Sequence, residues 1–166
     1  YVNDQWAKIS YKAMGQISTH GRYVNLFVNG LYWGLYNIQE RPDAAFNADY
    51  IGGKRGDWDV IKHTNDFLDG ENTPHVIDGS LDSWNELYKL SSSPNLDYIS
   101  ILEILNPESL CDYILLNFYN GTGDWLPNNW YASYNRSIGS KFRFYIWDAE
   151  KGFNKDNLPY LQPFSF

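Results

Sequence analysis

Cysteine is almost absent from this chain: Cys111 is the single one in 166 residues, so no internal disulfide can form. Its place in the apolar run of residues 110–118 predicts a buried, inert thiol. The three histidines, His20, His63 and His75, lie far apart without metal-ligand spacing, which argues against a zinc site. Neither a GxGxxG nor a Walker phosphate loop occurs, and the GxSxG elbow of serine hydrolases is missing too. No stretch approaches the roughly 18 apolar residues of a membrane span. Basic residues are few, 13 against 20 acidic, and the net charge of −7 and pI near 4.8 leave no basic face for a nucleic-acid backbone. The chain starts at Tyr1 with no features of a signal peptide, so any targeting segment is expected outside this sequence, which reads as a fragment of a longer polypeptide.

What the chain has in abundance is aromatic surface. Aromatics make up 18% and hydrophobic residues 43%, against 20% charged, a balance that excludes disorder and a fibrous protein. The length suits one domain over residues 1–166, sheet-rich over about 1–65 and helical and site-bearing over about 66–166. In YVNLFVNGLYWGLYNIQE, residues 23–40, β-branched and aromatic residues flank Asn29-Gly30, a hairpin turn signal. Alternation there predicts Val24, Leu26 and Val28 on one face. Arg41-Pro42 opens a short helix that Gly52-Gly53 closes, WDVIKH over 58–63 is a strand, and 64–79 has the turn density of a long loop. Helical spacing of Leu81, Trp84, Leu87 and Tyr88, a second helix over 96–105, and a third started by Asn106-Pro107-Glu108 follow, the last carrying Leu110, Ile114, Leu115 and Phe118 into the core. Two further strands, NWYASYN and KFRFYIWD, complete an α+β order. Trp33, Trp58, Trp84 and Trp147 are expected to be buried, while Trp125 and Trp130 flank the stretch treated next.

That stretch is GTGDWLPNNWY, residues 121–131. Asp124 follows a helix and a glycine-rich bend, Asn129 stands five residues later at the mouth of the last hairpin, and the far strand ends in Trp147-Asp148-Ala149-Glu150. Oxygen ligands are thus delivered to one end of a hairpin, as hard ions such as Mg²⁺ require. Protein kinases use this logic, an Asp that takes the substrate hydroxyl proton, an Asn five residues on and a later Asp for metal. By spacing alone, Asx turn-capping explains the same residues.

Longer signatures go further. HGRYVNLFVNGLYWGLYNIQERPDAAF resembles the front signature of the CotH kinase family, the spore-coat protein H-like proteins. DYILLNFYNGTGDWLPNNWY and FRFYIWDAEKGF resemble its two later ones, in the family's order, over roughly residues 20–153. The resemblance implies an atypical kinase-like fold that binds ATP with Mg²⁺ or Mn²⁺ and phosphorylates Ser or Thr of a protein substrate, outside the cell or on a cell or spore surface. It matches Asp124 to the catalytic-loop Asp, Asn129 to the metal-binding Asn and Asp148 to the metal-binding Asp, with Glu150 in the second acidic place, where Asp is commoner. Thr122 stands where family members often have Asn.

On the N-terminal side, Lys62 is the candidate for reaching nucleotide phosphates and Glu40 for the carboxylate that orients it, in the reverse of the usual kinase order. Lys54 and Arg55 are alternatives for phosphate contact, or simply a solvated turn. Two other readings use the same residues: a catalytically inactive surface module that binds glycan or protein through exposed aromatics, and a Ca²⁺-stabilised structural domain.

Overall fold

A computed structural model describes residues 2–63, 74–125, 128–137 and 139–153. It opens with a helix, α1 (Val2–Ala13), that the aromatic and polar front of the sequence does not advertise. Its buried stripe is Asp4, Ala7, Lys8 and Tyr11, at helical spacing but with two charged members, so a search for apolar periodicity passes over it.

The expected hairpin follows as β1 (Gly21–Val28) and β2 (Leu31–Gln39), joined at Asn29 (φ 51°) and Gly30 (φ 81°), the paired left-handed turn that matches strand twist. Its register shifts between Leu26 and Phe27. That irregularity ends the alternation: Val24 and Leu26 are half-buried, whereas Val28 is exposed. The short helix α2 (Ala44–Tyr50) starts two residues after Pro42, capped by Asp43, whose carboxylate accepts the Phe46 N–H.

A four-stranded antiparallel sheet forms the centre, in the order β4 (His75–Asp78), β3 (Trp58–His63), β5 (Trp130–Asn135), β6 (Arg143–Ile146). β4 is a correction to the long loop expected over 64–79: His75–Asp78 pairs along the β3 edge, and the rest of that loop, residues 64–73, lies outside the described residues. Strand alternation divides the core. Ile61, Ala132, Phe144 and Ile146 face Leu87, Ile101, Tyr113 and Leu116 of the helices α3 (Asp82–Ser91), α4 (Tyr98–Ile104) and α5 (Pro107–Asn120), together with Ala7 and Tyr11. Trp58, Val60, Tyr131 and Tyr145 face Ala44 and Phe46 of α2.

α5 begins as the sequence indicates, with Asn106 as cap and Pro107 in the first turn. Leu110 and Ile114 pack against the core as expected, but the most buried positions are others. Ser109, Tyr113, Leu116, Asn117 and Asn120 are buried, while Leu115 is 60% exposed and Cys111 also lies on the outer side. Polar groups in the inner stripe find partners on β6 and within the helix: the Phe144 N–H donates to Ser109 Oγ (3.1 Å) and Asn117 Nδ2 donates to the Tyr113 carbonyl (2.9 Å). The tryptophans also divide: Trp58 is 1% exposed, Trp84 and Trp147 are half-buried, and Trp33, on the open face of the hairpin, is 64% exposed. Among the described residues no helix is long and apolar enough to cross a membrane.

Candidate functional site

α5 ends at Asn120, and Gly121 takes the left-handed conformation (φ 60°) that closes the helix. The chain then turns inward. Thr122 is buried, its N–H donates to the Asn117 carbonyl (3.1 Å), and its Oγ1 accepts from Asn120 Nδ2 (2.8 Å). The hydroxyl that stands where an amide is usual is therefore directed at the helix end. Asn120 in turn holds the segment after β6: its carbonyl accepts the Phe153 N–H (2.6 Å), and a Cβ on Gly152 would stand 2.1 Å from Asn120 Nδ2. Trp125 pins the loop from the other side, edge-on to Tyr113 (5.7 Å) and Phe118 (5.6 Å). Between these anchors sits Asp124, with Oδ2 2.9 Å from Lys151 Nζ and Oδ1 buried without a hydrogen-bond partner among the described residues.

The β5–β6 hairpin brings the next two together. Trp130 pairs with Ile146 at its open end, so Asn129 and Trp147 are the next positions outward, with Asp148 one further. Asn129 (φ 61°) and Asp148 (φ 54°) both adopt left-handed backbone, a region that Asn and Asp enter more readily than other side-chain-bearing residues and that clusters at functional sites. Asp148 then starts a single 3-10 turn, Ala149–Lys151, which carries Glu150 and Lys151. Partial burial, then the charges of Glu150, Asp124 and Asp4, push the Asp148 carboxyl above its ordinary range, while Lys62 pulls the other way. Lys62 stands 5.6 Å over the Tyr131 ring, on the strand position paired with it.

The turn is gripped from a distant part of the chain. Asp4 is 3% and Lys8 1% exposed, and their side chains form an ion pair of 2.9 Å one helical turn apart. Asp4 Oδ1 accepts the Ala149 N–H (3.0 Å), Asp4 Oδ2 accepts from Gln39 Nε2 (2.7 Å), and Lys8 also donates to Gln39 Oε1. Asn3 Nδ2 donates to the carbonyls of Glu150 (3.1 Å) and Gly152 (2.6 Å), and Lys8 Nζ lies 5.0 Å over the Trp147 ring. Asp4, Asn37, Gln39, Trp147, Asp148 and Glu150 line a cavity of about 340 Å³ at this junction.

Glu40 belongs elsewhere. Its Oε2 accepts the His20 backbone N–H (2.8 Å) and lies 2.9 Å from the His20 ring, and its Oε1 accepts the Tyr50 hydroxyl (2.8 Å). Slight burial raises its pKa, but these bonds outweigh it and hold the carboxyl below the usual range. Asp124, Asn129, Asp148, Glu150 and, more distantly, Lys62 thus converge on one end of the central sheet, while the partners recorded for Glu40 are His20 and Tyr50. Asp4, Lys8, Gln39, Asn120 and Lys151 are additions that sequence reasoning missed. The one signal available was the Asp4-to-Lys8 spacing of four residues, which suits a helical ion pair.

The model of one protein family, CotH kinase protein, matches residues 10–159. The chain belongs to the CotH kinase family. No curated protein matches it significantly. At the level of that family the chain is a kinase-like domain, and the three CotH-like signatures fall on the β1–β2 hairpin, on α5 with its loop and β5, and on β6 with its turn.

Among the described residues no three His, Cys, Asp or Glu side chains are grouped to hold a metal ion. An ion here would draw on one or two carboxylates and an amide, with water and phosphate oxygens completing its shell, the usual arrangement for Mg²⁺ beside a nucleotide. The unpartnered Asp124 oxygen and the mutual repulsion at Asp148 are what a positive charge would relieve.

Proposed function

We propose that this domain transfers the γ-phosphate of ATP to Ser or Thr of a protein, with Asp124 accepting the hydroxyl proton and Asn129 and Asp148, helped by Glu150, holding Mg²⁺ or Mn²⁺. The observation that carries the reading is the meeting of a strained pair, left-handed Asn129 and Asp148, with the half-satisfied carboxylate of Asp124. A divalent ion at this point supplies charge neutralisation of the phosphate oxygens. The chain supplies the positioning: the α5 end and Trp125 aim Asp124, the β5–β6 register sets Asn129, and Asp4 holds the peptide after Asp148. Lys62 is the cation closest in effect to Asp148 on the sheet and is assigned to the phosphates, while Glu40 serves to tie β2 to α2. A place outside the cell or on a spore surface follows from the spore-coat character of the family.

Isothermal calorimetry tests this directly. The full chain should bind ATP with Mn²⁺, Asp148→Ala should lose that binding, and Asp124→Ala should keep it while losing phosphate transfer to a protein acceptor. A wild-type protein that ignores ATP in the presence of either metal sinks the proposal.

A second reading, an interaction module without chemistry, is favoured by the hairpin, which exposes Phe27 (59%) and Tyr32 (59%) on one face and Leu31 (70%) and Trp33 (64%) on the other. Glycan or protein binding that survives Asp148→Ala and fails in Trp33→Ala would select it.

A further inference from the structure

Asp124 Oδ1 is buried, and Oδ2, the oxygen left for an acceptor hydroxyl, is held by Lys151 at 2.9 Å, so an acceptor must compete with Lys151 for it. The two partners differ in exposure. Asp124 is fixed between Trp125 and the buried Thr122, and its side chain is 21% exposed. Lys151 has a backbone that is equally well held: its neighbours Glu150 and Gly152 offer carbonyls to Asn3, the Gly152 N–H donates to the Ala149 carbonyl (3.2 Å), and Gly152 is packed on Asn120. Its side chain is 69% exposed, a four-carbon stem that can swing about this fixed root. The swing stays near Asp148, whose charge, after that of Asp124, helps keep the Lys151 amine protonated.

We infer that Lys151 is a catalytic residue that exchanges Asp124 for the terminal phosphate of the bound nucleotide. The inference rests on the nucleotide reading proposed above. A terminal phosphate brings more negative charge than one carboxylate, so it competes for the ammonium and leaves Asp124 Oδ2 open to the acceptor hydroxyl. In the transfer, the hydroxyl oxygen forms a bond to the γ-phosphorus and the bond from that phosphorus to the β,γ-bridging oxygen breaks. ADP leaves, the hydroxyl proton goes to Asp124, and Lys151 stays protonated beside the charge on the transferred group. Before nucleotide binds, the same pair keeps the base covered.

The test is a calorimetric comparison of ATP with ADP, each with Mn²⁺, on the full chain. Wild type should favour ATP by about tenfold, as one charge-assisted contact provides. Lys151→Met should lose that preference while binding ADP within about twofold of wild type, and Lys151→Arg should keep most of it. Unchanged thermal melting of both variants, expected for an exposed side chain, ties the effect to the ligand. If Lys151→Met retains the ATP preference, or wild type binds both nucleotides equally, the role of Lys151 is refuted and the nucleotide site stands. If wild type binds neither nucleotide, the site itself is refuted and this inference with it.

Discussion

Removing the Asp4 carboxylate should nearly unfold the domain, and removing its partner as well should restore most of the loss. In Asp4→Ala the Lys8 ammonium, 1% exposed, keeps the Gln39 side-chain oxygen Oε1 and the face of Trp147. Breaking a buried pair by removing one member costs about 3–5 kcal/mol. The Ala149 N–H also loses its acceptor, which for a buried donor costs about 1–3 kcal/mol. The two losses share one site and do not add fully, so about 4–6 kcal/mol is expected, against a total stability of about 5–15 kcal/mol for a domain. Asp4→Leu with Lys8→Met leaves no charge to strand and should cost less than about 2 kcal/mol. Urea melts followed by tryptophan fluorescence read both: with a slope near 2 kcal/mol per molar, the midpoint falls by about 2–3 M in the single variant and under about 1 M in the double. A single variant whose midpoint moves by less than about 0.5 M, or a double variant as damaged as the single, refutes the charged, buried pair.

Gly152→Ala should destabilise by about 1–3 kcal/mol through overpacking, since its new methyl meets the buried Asn120 side chain and the backbone at Gly152 is otherwise ordinary (φ −67°); a neutral effect in thermal melts would show that Asn120 moves aside. Thr122→Val removes the acceptor of Asn120 Nδ2 at constant shape and should cost about 1–3 kcal/mol, whereas Thr122→Ser should cost much less; a neutral Val variant beside a destabilised Ser variant would mean that the methyl, and not the hydroxyl, matters. Because burial and then Glu150, Asp124 and Asp4 raise the Asp148 carboxyl, the folded form binds its proton more tightly than the unfolded form. That contribution favours the fold in acid and is lost as pH rises through the raised pKa, so the Mn²⁺-induced gain in Tm should grow over the same window and vanish in Asp148→Asn. A Mn²⁺ shift independent of pH contradicts this.

The parts of the molecule legible in the sequence are those whose signals are local. Asn29-Gly30 gives the hairpin turn, Asn106-Pro107 starts α5, and WDVIKH is a strand because its own residues favour one. The convergence of Asp124, Asn129 and Asp148 was accessible through family signatures, since no spacing rule says which loop Asx residues meet. α1 stayed hidden because Asp4 and Lys8 occupy the positions where apolar residues mark a helix. Leu115 and Cys111 were misread for the complementary reason: α5 buries Ser109, Asn117 and Asn120, whose partners come from remote segments or from the helix itself, so the most apolar face is not the inner one. Trp33 shows the same limit, for a two-stranded hairpin has no second layer over that face among the described residues.

The bond from Ala149 to Asp4 spans 145 positions of sequence. Closing so large a loop carries an entropic cost of about 4 kcal/mol before any contact repays it, so this end of the molecule should order late in folding. During synthesis α1 emerges before β6 and must wait, with a charged pair it cannot yet bury, until β6 and the turn after it have been made. The turn bearing Asp148 is then locked only after two segments 145 residues apart have met.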